Sequence, residues 1–187
     1  MKTMKLYIGS LFLVVAGLCG LTSYSFSQDA KLTRQERKDI KNAQLMANYY
    51  TLDSVLNARA FVLEADYLQN RYGEKILVSS NLNFIKVVES NGVLQTGSYS
   101  GFGYNGVGGV TAEGKIQSWK IYKNPKKLSY TVHFSIQSSI GHYDILMNVS
   151  ANTRASATIT GLGPGNLTWE GHLVTLYNSR VFKGQTI

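Results

Sequence analysis

The stretch from Leu128 to Thr160, LSYTVHFSIQSSIGHYDILMNVSANTRASATIT, decides the fold. Tyr130, Val132, Phe134 and Ile136 alternate with polar residues, and Tyr143, Ile145, Met147 and Val149 do the same. Alternation at period two puts each apolar set on one face of a strand. A turn centred between Ser139 and Ile140 pairs Ile136 with Tyr143, Phe134 with Ile145, Val132 with Met147 and Tyr130 with Val149. A slip of one residue would break every one of these pairs, so the register is strongly specified. A loop of Asn152-Thr153-Arg154 returns a third strand and predicts Val149 opposite Ala157 and Met147 opposite Ile159. The segment therefore reads as a meander with one buried face.

The same period extends in both directions. Phe61, Leu63, Ala65 and Tyr67 alternate with Val62, Glu64 and Asp66. Further strands are expected over 75–79, 82–89, 93–99, 110–122, 128–138, 142–151, 155–160 and 167–177. Turn signals separate them at Tyr72-Gly73, Asn91-Gly92, Asn124-Pro125, Ser139 to Gly141, Asn152 to Arg154 and Gly161 to Asn166. Upstream, residues 31–58 read as a helix. Thr33 and Glu36 have capping-box spacing, and Leu45, Tyr49, Leu52 and Leu56 form an apolar stripe. Its first half, Lys31 to Asn42, is charged and weakly amphipathic, an arm that does not pack. The fold class is mainly β: an antiparallel sandwich or barrel of about eight or nine strands preceded by an N-terminal helix.

Composition agrees. The chain has 187 residues, with 44% hydrophobic and 16% charged, enough for one core and too few charges for disorder. Two prolines and one cysteine exclude a collagen-like chain, a disulfide scaffold and a cysteine-ligated zinc site. The formal net charge is +8.

The N-terminus reads as an export signal. Lys2 and Lys5 precede an uncharged, mostly apolar run from Leu6 to Leu18, and Ser25 and Ser27 stand at −3 and −1 if cleavage precedes Gln28. The expected organisation is a signal peptide over 1–27, a charged helical segment over 28–58 and an antiparallel β domain over 59–187. Cys19 stands where a lipoprotein signal places its acylated cysteine, but Leu18 before it is larger than lipoprotein processing prefers. Membrane association is expected only if Cys19 is lipidated. Localisation is exported: periplasmic, cell-surface or secreted.

Chemistry-bearing motifs are sparse. Gly101-Phe102-Gly103-Tyr104-Asn105-Gly106 matches GxGxxG, yet Val110 to Trp119 follow as a strand, whereas a dinucleotide site needs a helix N-terminus there. No cofactor is expected. Glu64 and Asp66 share a strand face without the further acidic ligands of a calcium loop. His133, His142 and His172 do not converge in the derived register, and no metal is expected. Ser135, His133 and Asp144 have the residue types of a hydrolase triad, without a nucleophile elbow. Lys115, Lys120, Lys123, Lys126 and Lys127, with Trp119 and Tyr122 interleaved, read as a solvated hairpin guarding an edge strand, and export argues against nucleic acid. The glycine-rich segment from Ser98 to Gly109 is the expected contact site, with Tyr99, Phe102, Tyr104 and Asn105 as binding residues, because aromatics on a glycine loop supply contact area at low entropy cost.

Three stretches carry a resemblance: Phe61 to Asp66, Tyr104 to Gly114 and Val181 to Gly184. They are similar to an exported family common in Bacteroidetes, catalogued as domain of unknown function 4251. The resemblance implies a signal peptide, a charged N-terminal segment and a β-rich domain over roughly 45–187, and it supplies no catalytic residues. The expected function is an exported cell-envelope β-domain without a catalytic site, binding a small apolar ligand, a glycan or an envelope protein. The alternatives are an envelope hydrolase and a small outer-membrane barrel.

Overall fold

The computed structural model describes residues 32–97, 109–162 and 165–186. Residues 1–37 and 38–187 are separate units. Of the first, Leu32 to Arg37 are described, and they hold the start of helix α1 (Arg34–Asn57). The capping box forms: Glu36 N–H donates to Thr33 Oγ1 at 3.2 Å, and Thr33 N–H donates to the Glu36 carboxylate at 2.7 Å. That backbone hydrogen bond holds the Glu36 carboxyl below its ordinary range.

The second unit carries the strands β1 (Ala60–Gln69), β2 (Lys75–Leu77), β3 (Phe84–Val88), β4 (Asn91–Gln95), β5 (Thr111–Asn124), β6 (Ser129–Ser138), β7 (His142–Ser150), β8 (Arg154–Thr160) and β9 (Asn166–Thr175). Each expected strand forms. From β3 to β9, each strand pairs antiparallel with the next in the chain. β1 pairs with β3 on one side and with β9 on the other, so eight strands close into a barrel. β2 is extra and pairs only with the far end of β1. Of the two expected architectures, the sheet adopts the barrel.

The β6–β7 register is the one derived from the sequence, including Phe134 opposite Ile145 and Tyr130 opposite Val149. The β7–β8 register differs by two residues: Val149 faces Ala155 and Met147 faces Ala157. The loop is Ala151-Asn152-Thr153, with Thr153 at φ 67°. Asn152 closes it by accepting from Arg154 N–H at 3.1 Å. A two-residue shift preserves face parity, so the alternation alone did not separate the two registers. The β3–β4 turn is Glu89-Ser90, with Glu89 at φ 53°, and not Asn91-Gly92. Gly92 faces the interior, where a Cβ would lie 2.7 Å from Ile136 Cδ1.

Apolar side chains fill the barrel. Trp169, Phe61, Phe134, Leu63, Ile85, Leu94 and Met147 are fully buried. β5 shifts register between Gln117 and Lys120, with Ser118 at φ 54°. This bulge turns Trp119 toward Phe134, ring centroids 4.9 Å apart. The Arg59 guanidinium lies over the Trp119 ring at 5.0 Å. The second half of α1 docks as its stripe implies: Tyr49, Leu52 and Leu56 join the interior cluster. Tyr49 stacks on Tyr130 at 4.8 Å, and Lys123 reaches Asp53 at 2.6 Å. From Arg34 to Gln44 the helix is solvent-exposed, matching an arm that does not pack, although it is regular helix.

Outside the barrel, the segment from Leu176 onward forms a strap. It covers an apolar patch of Val62, Phe84 and Val93, with Val181 packed on it. Glu64 accepts hydrogen bonds from Ser179 Oγ and Arg180 N–H, and Lys183 pairs with Glu113. Gln95 is the hub beneath it and is fully buried. Its amide donates to the Leu82 and Phe182 carbonyls and accepts from Thr111 Oγ1 and Gly184 N–H. The three stretches that carry the family resemblance thus supply residues to one outer face.

Candidate functional site

Tyr99, Phe102, Tyr104 and Asn105 lie outside the described residues. The chain on either side is anchored: Thr96 N–H donates to the Val110 carbonyl at 2.9 Å, and Gly97 N–H donates to Asn83 Oδ1 at 3.1 Å.

The remaining candidates disperse. Ser135 is buried, directly opposite Asp144, while His133 faces Leu146. His142, not His133, approaches Asp144, at 3.6 Å. No relay therefore passes through Ser135. Glu64 and Asp66 separate in role: Glu64 holds the strap, and Asp66 lies at the β1 bulge, 3.7 Å from His172 Nε2. Trp119 packs inward, Lys123 engages Asp53 and Lys115 donates to Asn91, so the lysine cluster is not one continuous patch. Past Lys115, β5 pairs with β6 alone among the described strands. This is the lysine-flanked edge expected from the sequence.

The described residues do form a polar cleft of about 430 Å³ on the outward face of β1, β2 and β6 to β9. Its shape follows from the strands. Arg154 and Ser156 alternate with buried Ala155 and Ala157, and Asn148 alternates with buried Met147 and Val149. Outward side chains in the middle of this face are short. Gly171 is required at the β1–β9 seam, where a Cβ would lie 1.9 Å from the Glu64 carbonyl oxygen. Longer groups wall the depression: Tyr67, Lys75, Glu170, Arg154 and His172.

The cleft's charges are largely internally paired. Lys75 bonds Glu170, and its ammonium lies over the Tyr67 ring at 4.4 Å. His172 Nδ1 lies 3.4 Å from Thr153 Oγ1, and its Nε2 faces Asp66. The 3.7 Å imidazole–carboxylate distance is longer than a hydrogen bond, so Thr153, His172 and Asp66 do not form a nucleophile relay. Arg154 makes no side-chain ion pair among the described residues. From the sequence, Arg154 falls in the loop expected before the third strand of the meander, and none of these residues is gathered into a site. What makes them a site is the β1–β9 closure, which a strand-by-strand reading does not contain.

Elsewhere, three titrating groups respond to the helix and the strap. Asp53 is held below its ordinary value by the Lys123 hydrogen bond, and Glu113 by that of Lys183. Burial pushes the Tyr130 hydroxyl up. No group of three or more His, Cys, Asp or Glu side chains among the described residues is placed to hold a metal.

Fold and cleft together define a mainly β protein: an eight-stranded antiparallel barrel with a packed interior, a docked helix and a polar outer cleft. The chain belongs to the family described as Domain of unknown function (DUF4251), whose model matches residues 43–173. It is similar to the crystal structure, at 1.95 Å, of a DUF4251 family protein from Bacteroides eggerthii. The two are 30% identical with a TM-score of 0.60, over 73% of this chain and 93% of that one. No curated protein matches the chain.

Proposed function

We propose that this protein is an exported cell-envelope β-barrel that binds a polar ligand in its outer cleft. The observation that carries the reading is the cleft itself. A volume of about 430 Å³ lies within the range of small-molecule sites, about 300–1,000 Å³. It is lined by hydrogen-bonding and charged groups of both signs on a rigid sheet, which suits an orienting site. The barrel is apolar inside and polar outside, the reverse of the transmembrane pattern. That favours an aqueous compartment over the outer-membrane alternative. No helix among the described residues is long and apolar enough to cross a membrane.

Amide NMR of the chain from Gln28 onward tests the binding reading. It is titrated with a panel of neutral and acidic sugars, amino acids and nucleotides. Shifts clustered at Asn148, Ser156, Glu170 and His172 support it, and a panel producing no shift there overturns it. Intact mass of the exported protein tests processing. A terminus at Gln28 is expected, and an acylated Cys19 terminus would make the protein a lipoprotein instead.

A further inference from the structure

We infer that the ligand of the outer cleft is a sugar acid, a saccharide unit bearing one carboxylate, anchored by Arg154. The inference rests on the binding reading above and adds the ligand's chemistry.

The argument begins with what the cleft leaves unpaired. Lys75 is taken by Glu170, and His172 stands between Asp66 and Thr153. Arg154 remains as a cation with no carboxylate among the described residues. It is solvent-exposed and directly opposite His172 across the β8–β9 ladder. Its planar fork matches a carboxylate with two parallel hydrogen bonds. Asp66, also without a bonded cation, balances Arg154 in overall charge, so what Arg154 marks is the place in the cleft where a single carboxylate docks.

The rest of the cleft specifies hydroxyls. Ser156 sits two residues from Arg154 on the same face, opposite both Glu170 and Asn148. Its hydroxyl makes no hydrogen bond among the described residues, so it is free to donate. Glu170 keeps acceptor sites beyond the one Lys75 uses, and an ionised carboxylate offers about four. Asp66 has no short donor of its own, since His172 is 3.7 Å away. Carboxylate acceptors facing a guanidinium across short serines suit a compact polyol with an acid at one end. An apolar ligand would leave these polar groups desolvated and unpaired, which is costly. A simple anion would use Arg154 and be repelled by Asp66 and Glu170.

The test is an amide-resolved NMR titration of the chain from Gln28 with digalacturonate, its neutral counterpart digalactose and inorganic phosphate. Digalacturonate should shift Arg154, Ser156, Glu170 and His172 and bind more tightly than digalactose. Arg154→Ala should weaken it about tenfold or more, the loss of one charge-assisted pair, and Arg154→Lys should lose part of that. Unchanged shifts away from the cleft show that the variants remain folded. The inference is overturned if digalactose binds equally well, if Arg154→Ala changes nothing, or if phosphate shifts the same amides as strongly. In each of those cases the cleft still binds. A cleft silent to every probe in both titrations overturns the binding reading as well.

Discussion

Replacing Gln95 by leucine tests whether the strap and the barrel are one cooperative structure. Gln95 makes four hydrogen bonds at 2.8 to 3.2 Å, two to the barrel side (the Leu82 carbonyl and Thr111) and two to the strap (the Phe182 carbonyl and Gly184 N–H). Each is worth about 0.5–1.5 kcal/mol net, and each buried partner left unpaired costs more. Leucine approximately conserves volume, so cavity formation adds little. Gln95→Leu should cost about 3–5 kcal/mol. Deleting residues 177–187 removes both strap partners and lets water reach the amide. In that background the same substitution should cost only about 1–2 kcal/mol. Urea unfolding of the four proteins closes a double-mutant cycle with a coupling of about 2 kcal/mol. Costs that add within about 0.5 kcal/mol would refute the hub, because distant independent sites behave that way.

Three further outcomes are expected. Phe134→Ala removes a fully buried ring packed on Trp119 and should cost about 3–5 kcal/mol in denaturant melts. Gln137→Ala, exposed on the other face of the same strand, should stay within about 0.5 kcal/mol, and equal effects would contradict the inward–outward assignment. Gly171→Ala places a Cβ against the Glu64 main chain and should destabilise by about 2–3 kcal/mol or more by forcing the closing seam apart; an unchanged melt would show that the seam yields freely. The Asp53 carboxyl, held below its ordinary value of 3.8 by Lys123, favours the fold above that pH and loses its contribution as pH falls through the depressed value. Asp53→Asn should therefore lower stability at pH 7 but bring it level with wild type at the acid end of a pH series, and a constant difference across the series would refute that.

Strand existence and the β6–β7 pairing were legible because each strand buries one face, so alternation carries information at every second residue. The helix was legible in the same way, through Leu45, Tyr49, Leu52 and Leu56. Features that depend on a single residue's conformation were less so. Glu89, Ser118 and Thr153 all take positive φ without being glycine, and so the β3–β4 turn and the β5 bulge escaped turn signals built on glycine and asparagine, while the β7–β8 loop was signalled by Asn152 but placed one residue too far along the chain. Gly92 misled in the other direction, since its missing side chain serves packing. The strap was invisible because Gln95 and Glu64 read as ordinary outward polar residues. Their burial comes from a segment more than eighty residues further along the chain. The cleft depends on closure in the same way, with Asp66 and His172 at opposite ends of the sequence.

The β1–β9 seam also constrains how the molecule is made. Phe61 faces Thr175 across it, so over a hundred residues must be present before the ring can shut. Joining such distant segments costs loop entropy that grows only slowly with length, yet it must be met before the contacts reward it. Until then β1 and β9 are bare edges, free to pair with another chain. A chain made from its N-terminus presents β1 first and β9 last, so the dangerous interval spans nearly the whole of its synthesis. Concentration and chaperone supply during that interval, more than final stability, would then set how much of it reaches the closed state.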